Sequence, residues 1–346
     1  MNPSGITEKA PAIPQGLFFC LEQAVRFPPE GKLRFPLLTQ HSPFTTFVFY
    51  SSIFPNAMNL FILQMIALVS YGNAYLKGKK IPSDFYPSHP VFSPCARILF
   101  CGYAKLFPKG PFKGLTGWIK RLFSKRETVK IDIDQPDRWF EFLKGQGCRH
   151  LRLRHIPLEQ KEGEPKEYQM AGFVLASKMW VIETALRHGT FTWPCRWGES
   201  RENTSRQKPW IGQYRMEPSP LPRSSEKHDL PAIKKQQAQA LSEIAQFAFQ
   251  QNLPYWGGIF QKALETLHSD HPEENHPMEK DIPCQNYPLI ARQVIFGAFS
   301  SWVFGAMGSW NDLGFEDRQV EHTYDRLSEN LYRITVQALL EGVNSY

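Results

Sequence analysis

Between Phe35 and Leu76 the chain carries no Asp, Glu, Lys or Arg. The most apolar part of that stretch, MNLFILQMIALVSY (Met58–Tyr71), has no polar face to offer water. Either the rest of the protein wraps it on every side, or a bilayer does. Crossing a bilayer takes about 20 consecutive apolar residues, whereas runs of about 10–14 are more often buried core helices. Pro55, Asn56, Asn59 and Gln64 break any window of that length here. The expectation is a core helix. The rival reading is an integral membrane protein anchored near residues 44–71, with Lys77, Lys79 and Lys80 as its cytoplasmic flank.

Charge is concentrated around this apolar run. Residues 31–126 hold 13 Lys and Arg and one acid, Asp84, for +12. The remainder holds 27 basic and 32 acidic residues, for −5, and the two sum to the formal +7. Such asymmetry speaks to partners rather than to fold. An anionic lipid surface, an acidic protein and a nucleic acid all fit it. Within the basic region, FKGLTGWIKRLFSKR (Phe112–Arg126) has helical periodicity. Phe112, Leu115, Trp118, Ile119 and Leu122 share one face, and Lys113, Lys120, Arg121, Lys125 and Arg126 lie on the other. A basic amphipathic helix with a Trp has the form of an interfacial membrane binder, and also of a surface helix with a solvated face.

The middle of the chain alternates. Val129, Ile131 and Ile133 interleave with Lys130, Asp132 and Asp134, which predicts a half-buried strand. Pro136 opens a short helix that Gly145 and Gly147 end, and a second strand follows through Leu151 and Leu153. The spacing suggests a compact βαβ unit or two strands of a small mixed sheet. A helix is expected over Tyr168–Arg187, with Gly189 as its stop. Asp132 and Asp134 share one strand face, but a solvated polar face explains them better than a metal or acid–base pair. Residues 198–230 are rich in Pro, Ser, Arg and Glu and read as a linker or long exposed loop.

From Pro231 the pattern is helical. Ile233, Ala240, Leu241, Ile244 and Phe247 line one stripe. Val320, Tyr324, Leu327, Leu331, Ile334 and Ala338 line another, and Leu289–Trp310 is apolar nearly all round. Four or five packed helices follow from this. The histidines of HSDHPEENH (His268–His276) match no metal spacing and read as a polar loop. There is no phosphate-binding glycine loop, no GxSxG and no HExxH. The cysteines are sparse and form no CxxC, which favours a reducing compartment. The first 20 residues, with Glu8, Lys9, Pro11 and Pro14, make a poor signal peptide, so a cytoplasmic, membrane-associated location is expected.

One stretch concentrates unusual residues: VFGAMGSWNDLGF (Val303–Phe315). Ser309 and Asp312 have the spacing of a capping box, Asn311 or Gly314 could take a left-handed turn, and Glu316 and Asp317 suit the first turn of the last helix. A capped corner needs neither a Trp nor three glycines. Trp310, Asn311 and Asp312 are therefore candidate ligand-binding residues at the end of a buried helix.

The resulting expectation is a mainly helical α+β protein. Residues 1–127 form an apolar, basic region, 128–197 a small sheet-containing middle, 198–230 a linker and 231–346 a helical bundle. The leading functional class is a non-catalytic binding protein recruited to an anionic surface. An enzyme with a pocket at Trp310–Asp312 and the membrane-anchored reading stay open beside it. No motif names a substrate, a cofactor or a metal.

Overall fold

The structure, a computed structural model, describes residues 60–106, 127–157, 163–172, 178–199, 210–221, 228–274, 276–305 and 308–346. Its centre is helix α1 (Leu60–Leu76), buried from Phe61 to Ala74. Gln64, Ser70 and Asn73, the polar residues on this helix, are each matched from a different side. Gln64 donates to the Val91 carbonyl at 3.0 Å and accepts from the Tyr214 hydroxyl at 2.7 Å. Ser70 accepts from Tyr287 at 3.0 Å. Asn73 bonds both the N–H and the C=O of Leu151. An uncharged helix is what such complete enclosure requires, because a buried charge without a partner would cost far more than the apolar burial gains. No helix among the described residues is long and apolar enough to cross a membrane.

A seven-stranded mixed sheet lies against α1. Its strands are β1 (Cys95–Leu106), β2 (Glu127–Ile133), β3 (Leu151–His155), β4 (Trp180–Leu186), β5 (Gly189–Glu199), β6 (Trp210–Arg215) and β7 (Glu217–Pro218). The order is β2-β1-β6-β5-β4-β3, with β7 on β5. Only β1 and β6 run parallel among these pairs. Helix α2 (Pro136–Gly145) covers the same face as α1. Trp139 stacks on Phe100 at 4.2 Å and meets Trp193 edge-on at 5.2 Å. Gly72 permits the close crossing of α1 and α2, since a Cβ there would come within 2.8 Å of Phe140.

The far edge of the sheet is closed by side chains. Asn344 bonds the N–H and C=O of Leu153 at 2.7 and 2.9 Å, as Asn73 does for Leu151. Two carboxamides thus stand in for the missing next strand and blunt an edge that would otherwise be open to pairing.

Four long helices complete the chain: α4 (Leu230–Gln250), α5 (Pro254–His268), α6 (Leu289–Ser300) and α7 (Arg318–Asn344). Helix α4 packs on α5, α6 and α7, and α6 also packs on α5 and α7. Helix α7 continues onto β3. The architecture is α+β, with seven helices among the described residues, counting the short α3 (Glu167–Met170).

Several expectations are corrected. The helix expected over Tyr168–Arg187 is a strand in its second half. Trp180, Val181, Ile182, Glu183 and Thr184 of β4 are all buried, and a short run buried on both faces has no period to betray it. Gly189 does not stop a helix; it opens β5 after a two-residue turn at φ +153. Within the stretch read as a linker, Trp210–Arg215 is an interior strand between β1 and β5. Strands β2 and β3 occupy opposite edges, so they do not form a compact βαβ unit. The apolar helix expected over Leu289–Trp310 ends at Ser300, and Trp302, Val303 and Phe304 are buried outside it.

Candidate functional site

The Val303–Phe315 corner is built around Trp310, which is fully buried. Its indole N–H donates to Ser328 on α7 at 2.7 Å, and its ring meets Trp256 and Phe260 of α5 edge-on at 5.6 and 5.1 Å. The Tyr324 hydroxyl donates to its carbonyl. Trp310 therefore pins α5 to α7. Gly308 takes the left-handed conformation at φ +82, which neither Asn311 nor Gly314 adopts, and its N–H donates to the Asp312 carboxylate. Ser309 accepts from Asn311 N–H at 3.3 Å, so the side chains close a 3-10 turn over Trp310–Asp312 rather than a capping box. The cap of α7 is Asp317, which accepts from Gln319 and Val320. Asn311 alone of the three reaches outward. Its amide donates to the Tyr168 carbonyl at 3.0 Å, while its Oδ1 is buried without a partner.

Tyr168 leads into a half-enclosed cleft of about 220 Å³ between the end of β3, helix α3 and the outer side of α7. His155 closes β3. Its Nε2 lies 2.8 Å from Glu167 Oε1, and its ring meets Trp180 edge-on at 4.9 Å. Glu167 is held at the start of α3, whose first residue it is. The Tyr168 hydroxyl donates to Asp325 at 2.8 Å. Burial above all, and then that bond to Asp325, pushes the phenol well above its ordinary range. Lys166 pairs with Glu329 across the mouth at 2.9 Å.

Tyr332 forms the inner wall. Only 5% of it is exposed, its ring packs on Phe304 at 5.2 Å, and its hydroxyl is buried with no hydrogen-bond partner. Burial, and secondarily the Glu167 carboxylate, pushes its pKa above the ordinary phenol range, so the hydroxyl keeps its proton and is a standing donor. An unpaired buried hydroxyl costs about 1–3 kcal/mol. A fold that keeps this cost beside a His–Glu pair has the makings of a site rather than of packing.

Sequence reasoning flagged the corner and missed the cleft. His155 falls one alternation past Leu151 and Leu153, and Tyr332 lies beside the α7 stripe between Leu331 and Ile334. Both follow the apolar pattern, so neither stands out. Asp325, one turn from His322 on α7, meets the cleft through the Tyr168 hydroxyl, while His322 is exposed. Asp132 is exposed and paired with Lys130 at 3.2 Å. His276 is held against Phe296 and Phe299 and bonds Ser300 at 3.2 Å. Among the described residues no cluster could hold a metal ion. Lys113, Lys120, Arg121, Lys125 and Arg126 lie outside the described residues. Compared with protein-family models, curated proteins and solved structures, the chain matches none.

Proposed function

We propose that the protein binds a small polar molecule in the cleft between β3, α3 and α7, with His155 as its acid–base group. The observation that carries this reading is the buried, unpartnered hydroxyl of Tyr332 in the cleft wall. A bound molecule would supply the acceptor that hydroxyl lacks. The His155 Nε2 lies 2.8 Å from Glu167 Oε1, so an imidazole and a carboxylate face each other in the cleft wall. Asn311, one of the three corner residues, supports the cleft by fixing the Tyr168 backbone. Trp310 and Asp312 act further back, as the packing and the turn that hold Asn311 in place.

A thermal-shift screen of small carboxylates, phosphates, amines and polyols against wild type, His155→Asn and Tyr332→Phe tests this. A compound that stabilises wild type and neither variant supports it. If every compound is inert, or acts equally on all three proteins, the cleft is only a surface depression.

A second reading rests on charge. The 13 basic residues against one acid over residues 31–126 favour recruitment to an anionic surface, with Lys113, Lys120, Arg121, Lys125 and Arg126 as its contacts. Co-sedimentation with anionic and neutral vesicles tests it, and equal pelleting with both would remove it. The same proposal treats α4–α7 as a helical bundle stable by itself. A fragment beginning near Asp229 should then retain helical circular dichroism.

A further inference from the structure

Helices α1 and α2 cover one face of the sheet, and alternation sends every second side chain to the other. On that outer face the register places three adjoining rows. Arg196 of β5, Gln213 of β6 and Leu99 of β1 form the first. Arg215 of β6, Cys101 of β1 and Asp132 of β2 form the second. Tyr103 of β1 and Lys130 of β2 form the third. Arg196, Gln213 and Arg215 are exposed, and Tyr103 is 66% exposed, the most open large hydrophobic residue among those described. Lys130 is paired with Asp132 at 3.2 Å, so the two arginines carry the patch's net charge.

We propose that this outer face, centred on Arg196, Arg215 and Tyr103, binds single-stranded nucleic acid. The inference is independent of the cleft. A sheet face that offers one aromatic plate and cations on neighbouring strands matches an unpaired strand, whose bases stack while its phosphates meet the cations. Gln213, between the arginines, adds an amide able to donate to and accept from a base edge. A bilayer is a poorer match, because interfacial binding needs a cluster of protruding apolar side chains, and here Leu99 and Cys101 are half-buried and Tyr103 stands alone. A formal charge of +7 adds attraction toward any polyanion, and salt should weaken it.

Fluorescence anisotropy with a labelled oligouridine RNA, beside a duplex RNA and phosphatidylserine vesicles, tests the proposal on the full chain. The single strand should bind best, and binding should weaken with added salt. Tyr103→Ala should weaken it roughly tenfold, as loss of one stacked base does, and Tyr103→Phe should restore it. Arg196→Glu with Arg215→Glu should abolish it. All these side chains are exposed, so melting temperature should stay near wild type, which separates lost binding from lost fold. The proposal is overturned by absence of binding at low salt, by preference for vesicles or duplex, or by binding that survives both sets of variants.

Discussion

The corner at Val303–Phe315 and the cleft at His155–Tyr332 adjoin through one hydrogen bond, from Asn311 to Tyr168, yet they spend polar groups differently. In the corner the Trp310 indole, the Ser309 hydroxyl and the Asp312 carboxylate have partners within the protein, and the Asn311 Oδ1, beside the cleft, does not. In the cleft the Tyr332 hydroxyl has none. Unusual residues gathered in one stretch of sequence mark a packing problem that the chain solves with partners from α5 and α7. The cleft is assembled from ordinary residues, 177 positions apart at the extremes of His155 and Tyr332, and shows its character only in what is left unpaired.

Mutation can break this contrast, beginning with the corner. Trp310→Ala should cost about 3–5 kcal/mol in chemical denaturation, since it removes the ring that joins α5 to α7 and leaves Ser328 buried and unpaired. A loss below about 1 kcal/mol would mean that the ring is not part of the core.

A buried acid outside the cleft lining sharpens the comparison. Asp281 is 6% exposed, lies 3.8 Å from His89 Nε2, and burial raises its carboxyl to about 7. The folded state therefore favours the protonated acid. The stability this provides is full below the unfolded value of 3.8 and is lost as pH rises through about 7. Asp281→Asn should consequently stabilise the protein by on the order of 2–4 kcal/mol at pH 8 and by little at pH 4, as read from melting curves at both values. A gain that did not depend on pH would show that ionisation at Asp281 is not what costs stability.

Smaller effects separate the two neighbours directly. Asp312→Ala should cost about 1 kcal/mol, the worth of a turn-closing acceptor, and Asp312→Asn less. Tyr332→Phe should change stability in the other direction, by a gain of about 1 kcal/mol, because it removes a buried hydroxyl that bonds nothing. A marked loss on Tyr332→Phe would reveal a partner for that hydroxyl and erase the distinction between corner and cleft.

Much of the fold is legible without coordinates. The uncharged run through Met58–Tyr71 can only be enclosed, and α1 is enclosed. The stripe from Val320 to Ala338 repeats at helical spacing and forms α7, because one face of that helix meets the core along its length. Alternation through Lys130–Ile133 marks β2 for the same reason. Periodicity reports burial on one side and falls silent where both sides are buried. That is why β4 reads as helix, whereas the interior strand at Trp210–Arg215 alternates only over its last four residues and is too short to stand out among polar neighbours. Tertiary structure alone decided that Asn73 and Asn344 would close the β3 edge, that Trp310 would enter the core, and that His155, Glu167 and Tyr332 would share a cleft. Each of these depends on which groups remain unpaired once distant segments have packed, and no local pattern in the chain records that.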